Sequence, residues 1–425
     1  MNNEQKKAIV VSLIDNTTEI IQLANSLGYN VIKEFIQNRK IPDVNFYIGS
    51  GKLEEIKEYM DDSGENVKLI IINGELKPSQ WFALEKRLKI DVYDRVRLIL
   101  AIFEERAERK EARLQVKLAQ LQYERPFVRE LIHKARAGEH PGLMAGGEYQ
   151  VDDYYEMIKK QMKIIREDLK KIRGDRELHR KTRYKSGFYL VSLAGYTNAG
   201  KSSLLNLLSG EKVKVEGRLF STLSTTTRRM KNKASDRSIP FLLTDTVGFI
   251  ENLPPWIIDA FHSTLEEIEV ADIVVLVVDG SEEKEIVEKK LHVSLTELRD
   301  LGVTSSVVVV INKIDLIKDK DADKLIDYLK QKSLNNGLYV PISVKKEKNI
   351  DSLLECIYES LPNQIELKLQ LPINKESQAF ISELYKKTRV AHINYNHYIT
   401  INIDCNKKIK DKIVSKCERL QGLVL

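Results

Sequence analysis

Phe188–Gly210 reads FYLVSLAGYTNAGKSSLLNLLSG, and this stretch decides the fold. An apolar strand runs into Gly195-x-x-x-x-Gly200-Lys201-Ser202, and a leucine-rich helix follows. In that context glycines let backbone N–H groups converge on phosphates, and the helix N-terminus adds positive potential. Lys201 is placed to reach the β- and γ-phosphates, and the Ser202 hydroxyl to bind Mg²⁺. Gly195, Tyr196, Thr197, Asn198, Ala199, Gly200, Lys201, Ser202 and Ser203 are therefore expected to line a nucleotide.

Working outward, the apolar strand IPFLLT leads into Asp245-Thr246-Val247-Gly248. An acid at a strand end can hold the Mg²⁺ shell, while the Gly248 N–H can sense a γ-phosphate. A third strand, SSVVVVI, ends at Asn312-Lys313-Ile314-Asp315. The Asp315 carboxylate can accept two parallel hydrogen bonds from guanine N1–H and its exocyclic amine. Adenine lacks that amine and would leave the carboxylate unpaired, at a cost. Lys313 is expected beside the base, and Asn312 to tie this loop to the phosphate loop. The strand LYVPI then leads to Ser343-Val344-Lys345, whose backbone N–H groups can meet the guanine O6. These four motifs, in this order, point to a GTPase with GTP and GDP as ligands and Mg²⁺ as cofactor.

A first switch must lie between the phosphate-loop helix and Asp245. LFSTLSTTTRRM offers Thr222, Thr225, Thr226 and Thr227, and spacing does not choose among them. Arg228 and Arg229 can serve as surface charge, nucleic-acid contact or arginine finger. Phe249 stands where many GTPases use Gln to orient water, so slow intrinsic hydrolysis, accelerated by a partner, is expected. Pro254, Pro255, Trp256, Ile257 and Ile258 form an apolar cluster that is either core, the expected reading, or a surface uncovered when the switch moves.

The remainder divides by rhythm. Over residues 1–93, AIVVSLI, a helix around Thr17–Leu27, VNFYIG, a helix from Lys52 and VKLIIIN suggest a small α/β domain. IGSGKL there resembles a phosphate loop but lacks the earlier Gly and the following Ser or Thr, so it reads as a turn opening a helix. Residues 94–186 read as a helical arm. It has a long helix ending near Pro126, a Gly-rich loop over Gly138–Gly147 and a basic helix from Val151 to Tyr184. Residues 187–363 are the nucleotide domain. Residues 364–425 read strand, helix, two strands and helix, a small α+β domain. The fold class is thus α/β and multidomain.

At 425 residues, two to four domains are expected. A 42% hydrophobic and 31% charged composition is that of an ordinary globular protein. Net charge is +6, but twelve Lys and Arg against four acids fall between Lys159 and Lys185, either a solvated helix face or a contact for an anionic polymer. Cys356, Cys405 and Cys417 show no zinc-site spacing and read as reduced structural thiols. With no run of about 18 apolar residues and no signal-like start, a cytoplasmic location with no membrane span is expected; a monomer is the expected state. No Cys/His cluster or second nucleotide fingerprint supports a modification enzyme. Intact Lys201, Ser202 and Asp245 argue against an inert interaction module.

With these residues assembled, the chain closely resembles the HflX family of ribosome-associated GTPases over nearly its full length. The resemblance rests on IGSGKLEEI at Ile48, LKPSQWFALEK at Leu76 and DRVRLILAIFEERAERKEARLQVKLAQLQY at Asp94. GYTNAGKSSLLNLL at Gly195 and DTVGFIENLPPWIIDAFHSTLEE at Asp245 complete it. It implies an N-terminal α/β domain with a helical arm, a central Ras-like P-loop GTPase domain and a small C-terminal domain. It also implies binding to the large ribosomal subunit and its rRNA and, in bacterial members, splitting of stalled ribosomes. The family's FATLD pattern points to Thr222 in FSTLS as a Mg²⁺ ligand. Phe220, Ser221, Thr222, Leu223 and Ser224 are then expected at the nucleotide, with Lys201, Thr222 and Gly248 acting in catalysis. Where the family has a Gly-Pro-Gly-Glu-x-Gln loop, this chain reads Ala145-Gly146-Gly147-Glu148-Tyr149-Gln150, followed by Tyr154 and Tyr155 in place of a basic pair.

Overall fold

A computed structural model of the chain describes residues 6–136, 148–185, 187–210, 226–230, 241–250, 254–332 and 338–425. The chain divides into two compact units, one built mainly of Met1–Ile172 and the other mainly of residues from Arg173 onward.

In the first unit, β1 (Lys6–Ser12), α1 (Thr18–Ser26), β2 (Tyr29–Ile36), α2 (Ser50–Asp62), β3 (Val67–Ile72), α3 (Pro78–Leu88) and β4 (Val92–Asp94) form an α/β layer. Its sheet is parallel in the order β2-β1-β3-β4. Ala8–Val11 and Leu69–Ile72 are buried, as parallel strands covered on both faces require. The expected strand at VNFYIG is corrected: Val44–Ile48 holds a turn and an isolated bridge, and the strand is YNVIKEFI. As the sheet's edge, β2 is mostly half-exposed and tolerates Asn30, Lys33 and Glu34, which hid it from a hydrophobic reading. IGSGKL does open a helix, with Gly49 at the N-cap of α2.

Next come α4 (Arg95–Arg106), α5 (Lys110–Arg136) and α6 (Glu148–Lys185). The long helix expected to end near Pro126 instead breaks at Ala107–Arg109 and then runs through Pro126. A proline inside a helix costs about 3 kcal/mol. The apolar stripe continuing beyond it opposes that cost, because Leu118, Leu121, Val128 and Ile132 pack with Ile158, Met162 and Ile165 of α6. The Gly-rich segment 138–147 lies outside the described residues.

Continuing along the chain are β5 (Tyr189–Gly195), α7 (Lys201–Ser209), β6 (Thr226–Arg229), β7 (Phe241–Asp245), α8 (Pro255–Glu269), β8 (Ile273–Asp279), α9 (Lys284–Asp300), β9 (Ser306–Asn312), α10 (Asp319–Gln331), β10 (Tyr339–Pro341) and α11 (Ile350–Ser360). The strand order is β10-β9-β8-β5-β7-β6, parallel except for β6. Because β7 and β8 lie on opposite sides of β5, the chain reverses direction across the sheet there, and a crevice opens beyond the carboxyl ends of the strands. Ile257, from the apolar cluster after Gly248, is buried.

The chain ends with β11 (Gln364–Leu371), α12 (Lys375–Lys387), β12 (Arg389–Tyr395), β13 (Ile399–Asn406), α13 (Lys410–Arg419) and β14 (Leu423–Val424). They form an antiparallel sheet in the order β12-β13-β11-β14. Alternation along β13 buries Ile399, Ile401, Ile403 and Cys405 against Phe380, Ile381 and Leu384 of α12. Cys356, Cys405 and Cys417 are free and buried, and burial pushes the Cys405 thiol up to about 12. Arg229 of β6 donates to the Lys386 carbonyl at 2.6 Å and lies over the Phe188 ring, so this arginine serves as a structural tie.

Candidate nucleotide site

The expected residues that the structure describes meet at that crevice, on the loops that follow β5, β7, β9 and β10. Gly195 and Gly200 sit at φ +133° and +102°, where other residues are strained. A Cβ on Gly195 would lie 2.1 Å from the Val277 carbonyl oxygen, and one on Gly200 2.2 Å from Asn312 Nδ2. The loop's sharp course and its closeness to the Asn312 strand therefore both require glycine. Gly200 caps α7, so the helix opens at Lys201.

Lys201 is buried, and its ammonium donates to the Gly195 carbonyl at 2.9 Å and the Tyr196 carbonyl at 2.8 Å. Burial pushes its pKa down to about 8, opposed by the nearby Asp245 charge. Ser202 Oγ donates to Asp245 Oδ2 at 2.6 Å, so a hydroxyl and a carboxylate converge at the start of α7. Thr246 Oγ1 turns back to the Leu193 carbonyl at 2.7 Å. Gly248 lies against the loop, where a Cβ would come 2.9 Å from Lys201 Nζ.

Phe249 extends this pairing in a way its side chain does not announce. Its N–H donates to the Gly195 carbonyl at 3.0 Å, and its carbonyl accepts from the Thr197 N–H at 3.1 Å. The result is a parallel bridge between Tyr196 and Phe249, with the Phe249 ring buried. Main-chain groups on the phosphate side are thus engaged with one another.

On the other side, Asn312 Nδ2 donates to the Ala199 carbonyl at 2.8 Å, and its Oδ1 accepts from the Val344 N–H at 3.2 Å. One side chain thereby joins the phosphate loop, the β9 loop and the β10 loop. Ser343 Oγ donates to Asp315 Oδ1 at 2.6 Å, and this bond holds the Asp315 carboxyl below the usual carboxylate range. Ser343 Oγ also accepts from the Lys346 N–H at 3.1 Å. Lys313 sits in the left-handed region at φ +65°, and its ammonium meets Asp279 Oδ2 at 2.5 Å.

Phe220, Ser221, Thr222, Leu223 and Ser224, like Thr225, lie outside the described residues. Thr226 and Thr227 belong to β6, where Thr227 Oγ1 meets Thr244 Oγ1 at 3.0 Å. Sequence reasoning passed over Asp279 and the main chain of Phe249. An acid ending the apolar strand IVVLVVD was the available signal for the first, and the second carries none. Among the described residues, no group of three or more His, Cys, Asp or Glu could hold a metal, and no helix is long and apolar enough to cross a membrane.

Comparison with known proteins agrees with this geometry. Residues 15–104 match the family model described as GTP-binding GTPase N-terminal, 106–183 the GTP-binding GTPase Middle Region, and 190–313 the 50S ribosome-binding GTPase. The chain is 44% identical over 355 residues to GTPase HflX of Thermococcus kodakarensis, covering 83% of this chain and 78% of that one. It is 40% identical to GTPase HflX of Methanocaldococcus jannaschii, covering 88% of each. Among solved structures it is similar to the SsGBP and GDP complex, with a TM-score of 0.50 and 28% identity over 83% of this chain and 98% of that one. The strand order, the four loops and these matches together place the chain in the HflX family of GTPases.

Proposed function

We propose that the protein is a cytoplasmic, GTP-controlled factor that binds the large ribosomal subunit when GTP is bound and leaves after hydrolysis, with splitting or rescue of stalled ribosomes as its task. The observation carrying the reading is the convergence of Lys201, Ser202 and Asp245 with Asn312, Lys313, Asp315 and Ser343 in one crevice. In this reading Lys201 and the loop N–H groups hold the phosphates, Gly248 senses the third, and Asp315 with the Ser343–Lys345 backbone reads guanine. The domain limits are 1–93, 94–186, 187–363 and 364–425.

The paired oxygens of Ser202 and Asp245 are a hard donor set suited to Mg²⁺. Ser202 would hold the ion directly, with Thr222, and Asp245 through its shell; when bound, Mg²⁺ neutralises charge on the β- and γ-phosphates. Phe249 has no group to orient water, so turnover alone is slow and a partner that orders the switches accelerates it. The description of the matched family as 50S ribosome-binding favours the large subunit as that partner. On α6, Lys159, Lys160, Lys163, Arg166, Lys170 and Lys171 are exposed while Ile158, Met162 and Ile165 are buried, which suits a helix that meets rRNA with its basic face.

The test is GTP hydrolysis by the purified protein with and without cognate large subunits, using Lys201→Ala to control for contaminating activity. Strong stimulation by subunits that Lys201→Ala abolishes is the expected result. Turnover indifferent to subunits would remove the ribosome from the proposal.

A further inference from the structure

Asp279 ends β8, directly opposite Asn312 on β9 in the parallel register. The Gly280 N–H donates to the Asn312 carbonyl at 2.8 Å, so the turn after β8 is bonded to the first residue of the Asn312–Asp315 loop. Asp279 Oδ1 accepts two bonds from Ser281, one from its N–H at 3.0 Å and one from its Oγ at 2.6 Å. Those bonds fix the carboxylate plane and leave Oδ2 for the Lys313 ammonium at 2.5 Å. The Asp279 side chain is 14% exposed and that of Lys313 26%, so water screens the pair less than a surface pair. Lys313 also adopts φ +65°, a conformation a lysine rarely takes, and that backbone turn sends its side chain toward Asp279 on the neighbouring strand.

We propose that Asp279 is a positioning residue for guanine recognition: it pins the Lys313 ammonium so that the lysine stem forms a fixed wall beside the base. The proposal rests on the reading of Lys313 as the residue flanking guanine. A lysine stem has four rotatable carbons, and one held at its far end loses that freedom before the base arrives. Binding then orders less of the site, and affinity rises without any new contact to the nucleotide. Asp279 acts through Lys313 and touches neither the base nor a reacting atom.

The experiment is a double-mutant cycle on the full-length protein. Dissociation constants for fluorescent GDP are measured for the parent, Asp279→Asn, Lys313→Ala and the double variant, together with KM and kcat for GTP. Asn is the same size as Asp and keeps an oxygen for Ser281, so the turn survives while the charge is lost. Asp279→Asn is expected to weaken GDP binding about tenfold, as for a hydrogen bond to a charged group, with the loss falling on KM rather than kcat. In the Lys313→Ala background the same change is expected to cost nothing further. Additive losses, a loss confined to kcat, or no loss would each overturn the proposal. If Lys313→Ala itself leaves GDP affinity intact, the reading of Lys313 fails and the proposal falls with it. If Lys313→Ala weakens binding and Asp279→Asn does not, the proposal alone falls.

Discussion

The two halves of the crevice are held together differently. On the side toward β9 and β10, Ser343 donates to the Asp315 carboxylate, and Asn312 accepts from Val344 while its amide reaches across to the Ala199 carbonyl of the phosphate loop. On the side toward β5 and β7, Lys201 donates to two carbonyls of its own loop, Ser202 donates to Asp245, and Phe249 is laced to Gly195 and Thr197. The first arrangement offers a base a finished surface. The second consists of bonds whose donors are the groups that a nucleotide's phosphates and their metal ion would claim. In the proposed reading, base recognition therefore needs little rearrangement, whereas phosphate binding proceeds by exchanging internal bonds for external ones. That reading puts the switch in the DTVG segment and keeps the specificity loops as the frame beside it.

Substitutions sharpen the contrast. Asp315→Asn has the largest expected effect: two charge-assisted bonds to guanine are lost, weakening GTP binding by roughly a thousandfold. Affinity should pass to xanthine nucleotides, whose second carbonyl accepts from the new amide, and competition binding with both nucleotides checks this. Lys201→Ala is expected to lower GTP turnover by about a hundred- to a thousandfold, as removal of one preorganised donor does, while guanine preference in GDP binding is retained. Loss of guanine preference in Lys201→Ala would mean that the two halves are not separable.

Acidity gives a third test. The Lys201 pKa is depressed from 10.5 to about 8 by burial, so the ligand-free protein prefers the neutral amine above that pH. Incoming phosphates favour the ammonium, so binding takes up a proton, and affinity should fall as pH rises above about 8, by at most about tenfold per pH unit. The sign for folding is opposite in use: depression of a basic group means its burial destabilises the native state below about 8, and that penalty fades between 8 and 10.5. Calorimetry of GDP binding in buffers of different ionisation heat detects the proton. The smallest effect is expected for Ser343→Ala, which removes the bond to Asp315 and should raise the GDP dissociation constant roughly fivefold, with turnover at saturation unchanged.

Much of the site was legible in the chain because its chemistry constrains local backbone. Gly195 and Gly200 are needed where φ is positive and strands approach, and Asn312, Asp315 and Ser343 follow apolar strands that any hydrophobic reading finds. What escaped notice depends on tertiary context. The strand YNVIKEFI lies at a sheet edge and lacks a continuous apolar face, while Pro126 is carried inside α5 by packing of Val128 and Ile132 with α6. Asp279 meets Lys313 across two strands separated by α9, a pairing that only the sheet order reveals. The docking of Phe249 uses main-chain atoms alone, so no side-chain pattern encodes it.

Backbone hydrogen exchange tests the central contrast most directly, followed at Thr197 and Phe249 on one side and Val344 and Lys346 on the other. The protein is compared with GDP and with a non-hydrolysable GTP analogue, each with Mg²⁺. The third phosphate is expected to change protection at Thr197 and Phe249 while Val344 and Lys346 stay as they are with GDP. Equal changes on both sides, or unchanged protection at Phe249, would contradict a rigid base-reading frame beside a phosphate side that exchanges its bonds.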